Sequence, residues 1–200
     1  MKKGNNTVMK VRGSFWYRFK EILLRYGEKW DALAPMESEA IRYAHMYINE
    51  EPERKLGGTL TLSQMYRIAS SQQISQRLRS GTATDIDLEL IEALKPYTLK
   101  NNIVVYRGVF EDDFNNMIVN AKEIGNCDLY EKGLYSTSIV KGKQESQRSY
   151  QLRTFLPKGT NAIYLGNVNY EEKAYYEVLV QKGAKLKIVS MDNSFINCIL

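Results

Sequence analysis

"NNIVVYRGVF", residues 101–110, marks the point at which the chain changes period. Upstream, apolar residues recur at spacings of three and four; from here they come as short β-branched and aromatic runs bounded by turn residues. "GLYSTSIVKG", "YQLRTFLPKG", "NAIYLGNV", "YYEVLVQKG" and "AKLKIVSM" follow, interrupted once by the helical "EDDFNNMIVNAKEIG". Short strands at this density build mostly antiparallel sheets. The expected class is α+β, with about residues 1–100 mainly helical and about 101–200 mainly strands, in one domain of 200 residues.

The helical half divides at its breakers. "SFWYRFKEILLRYGEKW" places Phe15, Phe19, Ile22, Leu23 and Tyr26 on one stripe and predicts a single amphipathic helix. "ESEAIRYAHMYINEE" stacks Ile41, Ala44, His45 and Ile48 before Pro52 and Gly57-Gly58. "LSQMYRIASSQQISQRLRSG" closes at Gly81, and "DIDLELIEALKPY" is expected to be capped by Asp85 or Asp87 and to end at Pro96.

Composition bounds the chemistry loosely. Hydrophobic residues make up 44% and charged residues 26%, which suits a folded globular chain rather than a disordered one. A net charge of +5 tilts it toward anionic partners. Cys127 and Cys198 lack metal-type spacing, and one histidine, His45, leaves little for a Ser-His-Asp or Cys-His unit, so no metal is expected. "MKKGNNTVMKVRG" is basic without the apolar stretch of a signal peptide, and no run approaches the ~20 residues that span a bilayer.

Three polar sites interrupt the strands. Arg107 follows "IVVY" directly; its guanidinium has a rigid fork of donors that can grip two phosphate oxygens, and Gly108 behind it permits close backbone approach or a turn. In "GLYSTSIV", alternation sends Ser136 and Ser138 to one face and Thr137 to the other. A carboxylate across the sheet would satisfy two inward hydroxyls; a solvent face is the plainer alternative. Glu177 of "YYEVLV" shares a face with Tyr175 and Leu179, where a carboxylate is costly unless hydrogen-bonded or bound to something.

Arginine, "STS" and glutamate on successive strands, in that order, resemble the mono-ADP-ribosyltransferase exoenzymes of the R-S-E class, nearest the binary-toxin and clostridial branch. "DIDLELIEALKPYTLKNNIVVYRGV", "LRTFLPKGTNAIYLG", "YYEVLVQKGAKLKIVSMD" and "LRSG" extend the similarity over about residues 35 to 195. The resemblance implies a helical layer on two packed sheets with an NAD cleft. It implies that Arg107 binds the NAD phosphates, that Gly108 contacts the nicotinamide amide, and that Ser136, with Thr137 and Ser138 beside it, holds a catalytic Glu177. "VKGKQESQR" would be the phosphate-nicotinamide loop, with Arg148 or Arg153 as a second cation for the dinucleotide.

One position departs from the pattern. The family carries glutamate or glutamine two residues before the catalytic glutamate, to engage the acceptor; here it is Tyr175, a phenol that cannot act as a base at neutral pH. Glu171 and Glu172 are nearby substitutes with unsuitable spacing. The resemblance implies NAD as substrate and ADP-ribose transfer to a macromolecular acceptor, protein before nucleic acid. It also implies a secreted or injected toxin or effector with a possible delivery component. NAD glycohydrolase, and a catalytically silent binding module, are the alternatives.

Overall fold

Strand β1 (Ile103–Val109) is the spine of the molecule, and a computed structural model describes the chain around it over residues 13–49, 71–166 and 175–200. Its partners are β2 (Leu129–Glu131), β3 (Tyr135–Ser138), β4 (Tyr150–Leu156), β5 (Ala162–Gly166), β6 (Glu177–Val180), β7 (Ala184–Met191) and β8 (Ile196–Ile199). They run in one series, in the order β2-β7-β8-β4-β1-β3-β6-β5, antiparallel except for the β4/β8 pair. The expectation of two separate sheets is thereby replaced by one eight-stranded series. That series is thinnest at one point. β1 pairs with β4 over its full length, from Ile103↔Leu156 to Val109↔Tyr150, but meets β3 only at Tyr106↔Ser138.

The described helices before β1 are α1 (Ser14–Leu24), α2 (Tyr26–Asp31), α3 (Ala40–Tyr47), α4 (Ser71–Ser80) and α5 (Asp85–Leu94). A 3-10 turn, Glu37–Glu39, leads into α3, and α6 (Glu111–Ile124) follows β1. The expected first helix is two: Arg25 adopts φ 51° and breaks the run between α1 and α2. In α3 the buried stripe is Ala40, Ala44 and Ile48, while Ile41 and His45 face out. Pro52, Gly57-Gly58 and the start of "LSQMYRIASSQQ" lie outside the described residues.

Thr84, rather than Asp85 or Asp87, caps α5. Its side chain accepts from the Asp87 N–H while Asp87 Oδ2 accepts from the Thr84 N–H at 2.9 Å, a reciprocal box at the helix start. Arg77 of α4 donates Nε and Nη2 to the two Asp87 oxygens at 2.6 Å each, tying α4 to α5. Those bonds, then the Thr84 backbone, push the Asp87 carboxyl down to about 2. α6 opens on Glu111, Asp112 and Asp113, which favour the positive end of its dipole, and buries Phe114, Met117 and Ala121. Phe114 stacks on Tyr150 of β4 with centroids 4.0 Å apart.

Burial follows the strand alternation. Ile103, Val105 and Val109 join Leu152, Leu156 and Phe114 in the largest cluster, which α3 also covers. Val104 and Tyr106, on the other face, meet Trp30 and Phe195. α4 and α5 bring Ile74, Leu90 and Leu94 against Leu134, Ile163 and Leu179. α1 is attached differently: Glu21 accepts from Ser190 Oγ at 2.5 Å, Asn197 Nδ2 at 3.0 Å and the Gly27 N–H at 2.7 Å, so this helix turns a polar side to the sheet.

Asp87→Ala removes the reciprocal half of the capping box and both of the Arg77 bonds to this carboxylate, and is expected to cost about 1–3 kcal/mol in urea unfolding. A carboxyl held below its ordinary value contributes stability above about pH 4 that drains away as the pH falls through about 2. The thermal midpoint of the wild type is therefore expected to drop more steeply than that of the variant across this window.

Candidate active site

Beyond the Tyr106↔Ser138 pair, β1 and β3 diverge, and a cleft of about 1110 Å³ opens there. Arg107 and Gly108 line it from β1, Leu134 and Ser136 from the β3 side, and Arg79 of α4, Glu145, Arg148 and Tyr175 add to the wall, with an acidic and amide side from α6 that includes Asp112, Asp113 and Asn116. Arg107, Gly108, Ser136, Arg148 and Tyr175, singled out from the sequence, are thus brought to one cleft.

Glu177 opens β6 opposite Ser138, with Ser136 diagonal to it on the same face. Ser136 Oγ donates to Glu177 Oε1 at 2.5 Å, and Glu177 is 1% exposed, so the carboxylate lies one hydrogen bond behind the cleft lining. The other two hydroxyls are spent elsewhere. Thr137 Oγ1 donates to the Val178 carbonyl at 2.8 Å, and Ser138 Oγ donates to the Val140 carbonyl at 3.1 Å while accepting from the Val140 N–H. Both are fully buried, Thr137 tying β3 to β6 and Ser138 closing the turn that follows β3; neither lines the cleft.

The strand expected through "YYEVLV" starts only at Glu177. Tyr176 takes φ 53°, a left-handed conformation that costs a tyrosine roughly 1–2 kcal/mol. Its ring hydroxyl donates to Glu37 at 3.2 Å and its carbonyl accepts from the Ile139 N–H at 3.2 Å, which fix the turn. Tyr175, just before it, lines the cleft at 7% exposure. Glu171 and Glu172 lie outside the described residues.

Arg107 Nη2 donates to Glu131 Oε2 at 3.1 Å, its guanidinium lies 4.8 Å from the Tyr135 ring centroid, and its Nη1 is buried with no hydrogen-bond partner. Glu131 is itself buried and also accepts Arg79 Nε at 2.8 Å, Arg79 Nη2 at 2.7 Å and the Gly133 N–H at 2.8 Å. Burial alone would raise this carboxyl; the Arg79 bonds and the Arg107 charge outweigh it and hold it below the usual range. The "LRSG" motif that carries part of the resemblance contains Arg79, but no role is expected of that arginine from the sequence, and Glu131 is not singled out there. "QRLRSG" reads as an ordinary polar helix end, and β2, which carries Glu131, has three residues and shows no period.

Gly108 earns its place locally. A Cβ there would sit 2.1 Å from the Glu145 carbonyl and 2.9 Å from Arg148 Cγ, so the close approach is made by the chain's own 140–148 loop. That loop brings Arg148 over the Phe110 ring, 3.4 Å from its centroid, in an ion pair with Glu145. Arg153 is placed elsewhere. Across the β1/β4 ladder it faces Tyr106 while Leu152 faces Arg107, so alternation carries it to the opposite side of the sheet. There it is 2% exposed, donating to Asp192 at 2.7 Å, Asn197 at 2.7 Å and Asp31 at 3.0 Å. Among the described residues, no group of three or more His, Cys, Asp and Glu is arranged to hold a metal ion.

A protein-family model described as ADP-ribosyltransferase exoenzyme matches residues 63–196. The epidermal cell differentiation inhibitor of Staphylococcus aureus is 35% identical over 83 residues, 40% of this chain; the match spans 33% of that relative's length. Among solved structures, C3larvin toxin, an ADP-ribosyltransferase from Paenibacillus larvae, superposes with a TM-score of 0.50 at 25% identity, covering 69% of this chain and 91% of that one. C3stau2 from S. aureus, solved with NAD, shares the fold at a TM-score of 0.53 and 18% identity, covering 88% of this chain and 92% of its own. With the model's match running from before α4 to the start of β8, the chain belongs to the ADP-ribosyltransferase exoenzyme family.

Proposed function

We propose that the chain is an NAD-dependent mono-ADP-ribosyltransferase that cleaves NAD and passes ADP-ribose to a macromolecular acceptor, a host protein before a nucleic acid, as a bacterial toxin or effector. The observation that carries this reading is the Ser136–Glu177 hydrogen bond set beside Arg107 at one cleft. Family membership supports it, as does the NAD held by the related C3stau2.

On this reading the diphosphate of NAD is met by Arg107, whose Nη1 has donor capacity unused within the protein. Arg148, paired to Glu145, is a further cation on the same wall, and Arg79, held by Glu131 and Asp113, positions Arg107 through the shared Glu131. Arg153, consumed by its own carboxylates, has no part. The bond between the ribose anomeric carbon and the nicotinamide nitrogen breaks, its electron pair leaving with a nicotinamide that becomes neutral. Positive charge develops on the ribose, and the Glu177 carboxylate, held in place by Ser136, stabilises it in a site where water screens little. An acceptor nucleophile then bonds to the anomeric carbon and its proton passes to solvent water. The reaction needs no redox step.

Tyr175 on the cleft wall favours a second outcome, NAD glycohydrolysis, with water as the nucleophile. A phenol supplies a flat face and one hydrogen bond, but no base at neutral pH. It is therefore suited to sorting acceptors by shape rather than to activating them.

Incubation with NAD labelled in the adenylate half is expected to release nicotinamide and to attach label to protein in a cell lysate; free ADP-ribose alone would assign glycohydrolysis, and no nicotinamide would overturn both readings. Tyr175→Glu is expected to change which lysate species are labelled while nicotinamide release without acceptor stays within about threefold of wild type. An unchanged labelling pattern would remove Tyr175 from acceptor choice.

A further inference from the structure

α1 packs in the reverse of the usual sense. Glu21 and Tyr17 turn toward the sheet, and none of the residues of α1 is buried. Phe15, Trp16, Phe19, Ile22 and Leu23 instead form one outward stripe, with Phe15 72% and Ile22 75% exposed. Spacings of one, three and four put all five on a single arc, with Arg18 and Lys20 at its two borders. The one carboxylate of the helix, Glu21, is used on the inward side, so the outward arc carries apolar and cationic groups only.

The charge of the whole chain points the same way. Residues 1–26 hold seven of the 28 Lys and Arg but one of the 23 Asp and Glu, and so carry +6, which leaves the remaining 174 residues at −1. The net charge of +5 is therefore accounted for by the first 26 residues of the sequence, of which Arg18, Lys20 and Arg25 are the cations among the described residues. An apolar stripe bordered by long cationic side chains, on a helix too short to span a bilayer, is the arrangement of a helix lying in a lipid headgroup region. In such a helix the aromatic and aliphatic groups enter the acyl boundary and the border cations reach anionic headgroups; here Arg18 would exchange its exposed 3.3 Å bond to Asn193, and Lys20 its place 5.8 Å from the Tyr17 ring centroid, for them.

We infer that α1 binds an anionic lipid surface, lying in its plane, and so holds the enzyme at a membrane face. A second copy of the chain is a poorer occupant, because two such arcs meeting would also bring their cations together.

The test is co-sedimentation of the full chain with vesicles of phosphatidylcholine and phosphatidylserine, read beside Trp16 fluorescence. Binding with a blue shift is expected, falling about tenfold or more on pure phosphatidylcholine and again at high salt. Phe19→Glu with Ile22→Glu should abolish binding, Phe19→Leu with Ile22→Leu should retain it, and nicotinamide release should be equal in both. Trp16→Phe should lose the shift yet still sediment. Failure to sediment, equal binding to neutral vesicles, or binding untouched by the glutamate pair would overturn the inference. So would a concentration-dependent dimer in sedimentation velocity that the glutamate pair dissolves.

Discussion

The site depends on how little β1 and β3 share. Strands in a continuous ladder lie about 4.8 Å apart and leave no room for a dinucleotide between them. Here the ladder closes at Tyr106↔Ser138 and goes no further, so Arg107 and Gly108 continue along one wall while Ser136 occupies the other. The groups on both sides of the gap find other partners. Thr137 bonds to Val178, and Gly108 packs against the Glu145 carbonyl. Glu177, paired in register with Ser138 itself, starts at the junction, which is why a buried carboxylate sits so near an open cleft.

Two arginines differ in how many groups hold them. Arg153 is surrounded by Asp31, Asp192 and Asn197 and fastens the N-terminal helices to the sheet. Gly27 is part of that joint, since a Cβ there would lie 2.5 Å from Arg153 Nη1. Arg107 is held by one shared carboxylate, Glu131, and keeps Nη1 without a partner. Burying Glu131 is tolerable only because two guanidinium groups and a backbone N–H compensate it. The same carboxylate thereby fixes Arg79 and Arg107 relative to each other before any substrate arrives.

Much of this was legible in the residues. Among the described residues the change of period at residue 101 separates the helices before β1 from the strands, and Arg107 and Ser136 line the cleft with Glu177 one hydrogen bond behind it. Long-range placement was not legible. Alternation within "STS" shows which hydroxyls share a face but not that Ser138 turns back to Val140, and Arg153 differs from Arg148 only through its register opposite Tyr106. β2 and β8, three and four residues long, are too short for a period to show. The single first helix failed at Arg25, where no glycine or proline signals a break, and its apolar stripe faces solvent because Glu21 has the better partners inside.

The role proposed for the Glu177 carboxylate is to carry the NAD-cleaving step. Glu177→Gln keeps the shape and can still accept from Ser136, so the fold should persist by circular dichroism and thermal midpoint while the charge is lost. The measurement is nicotinamide release from NAD by the purified variant. A fall of about a hundredfold or more, with the fold intact, is the predicted result. A folded variant that releases nicotinamide at the wild-type rate would remove the Glu177 carboxylate from the cleavage step.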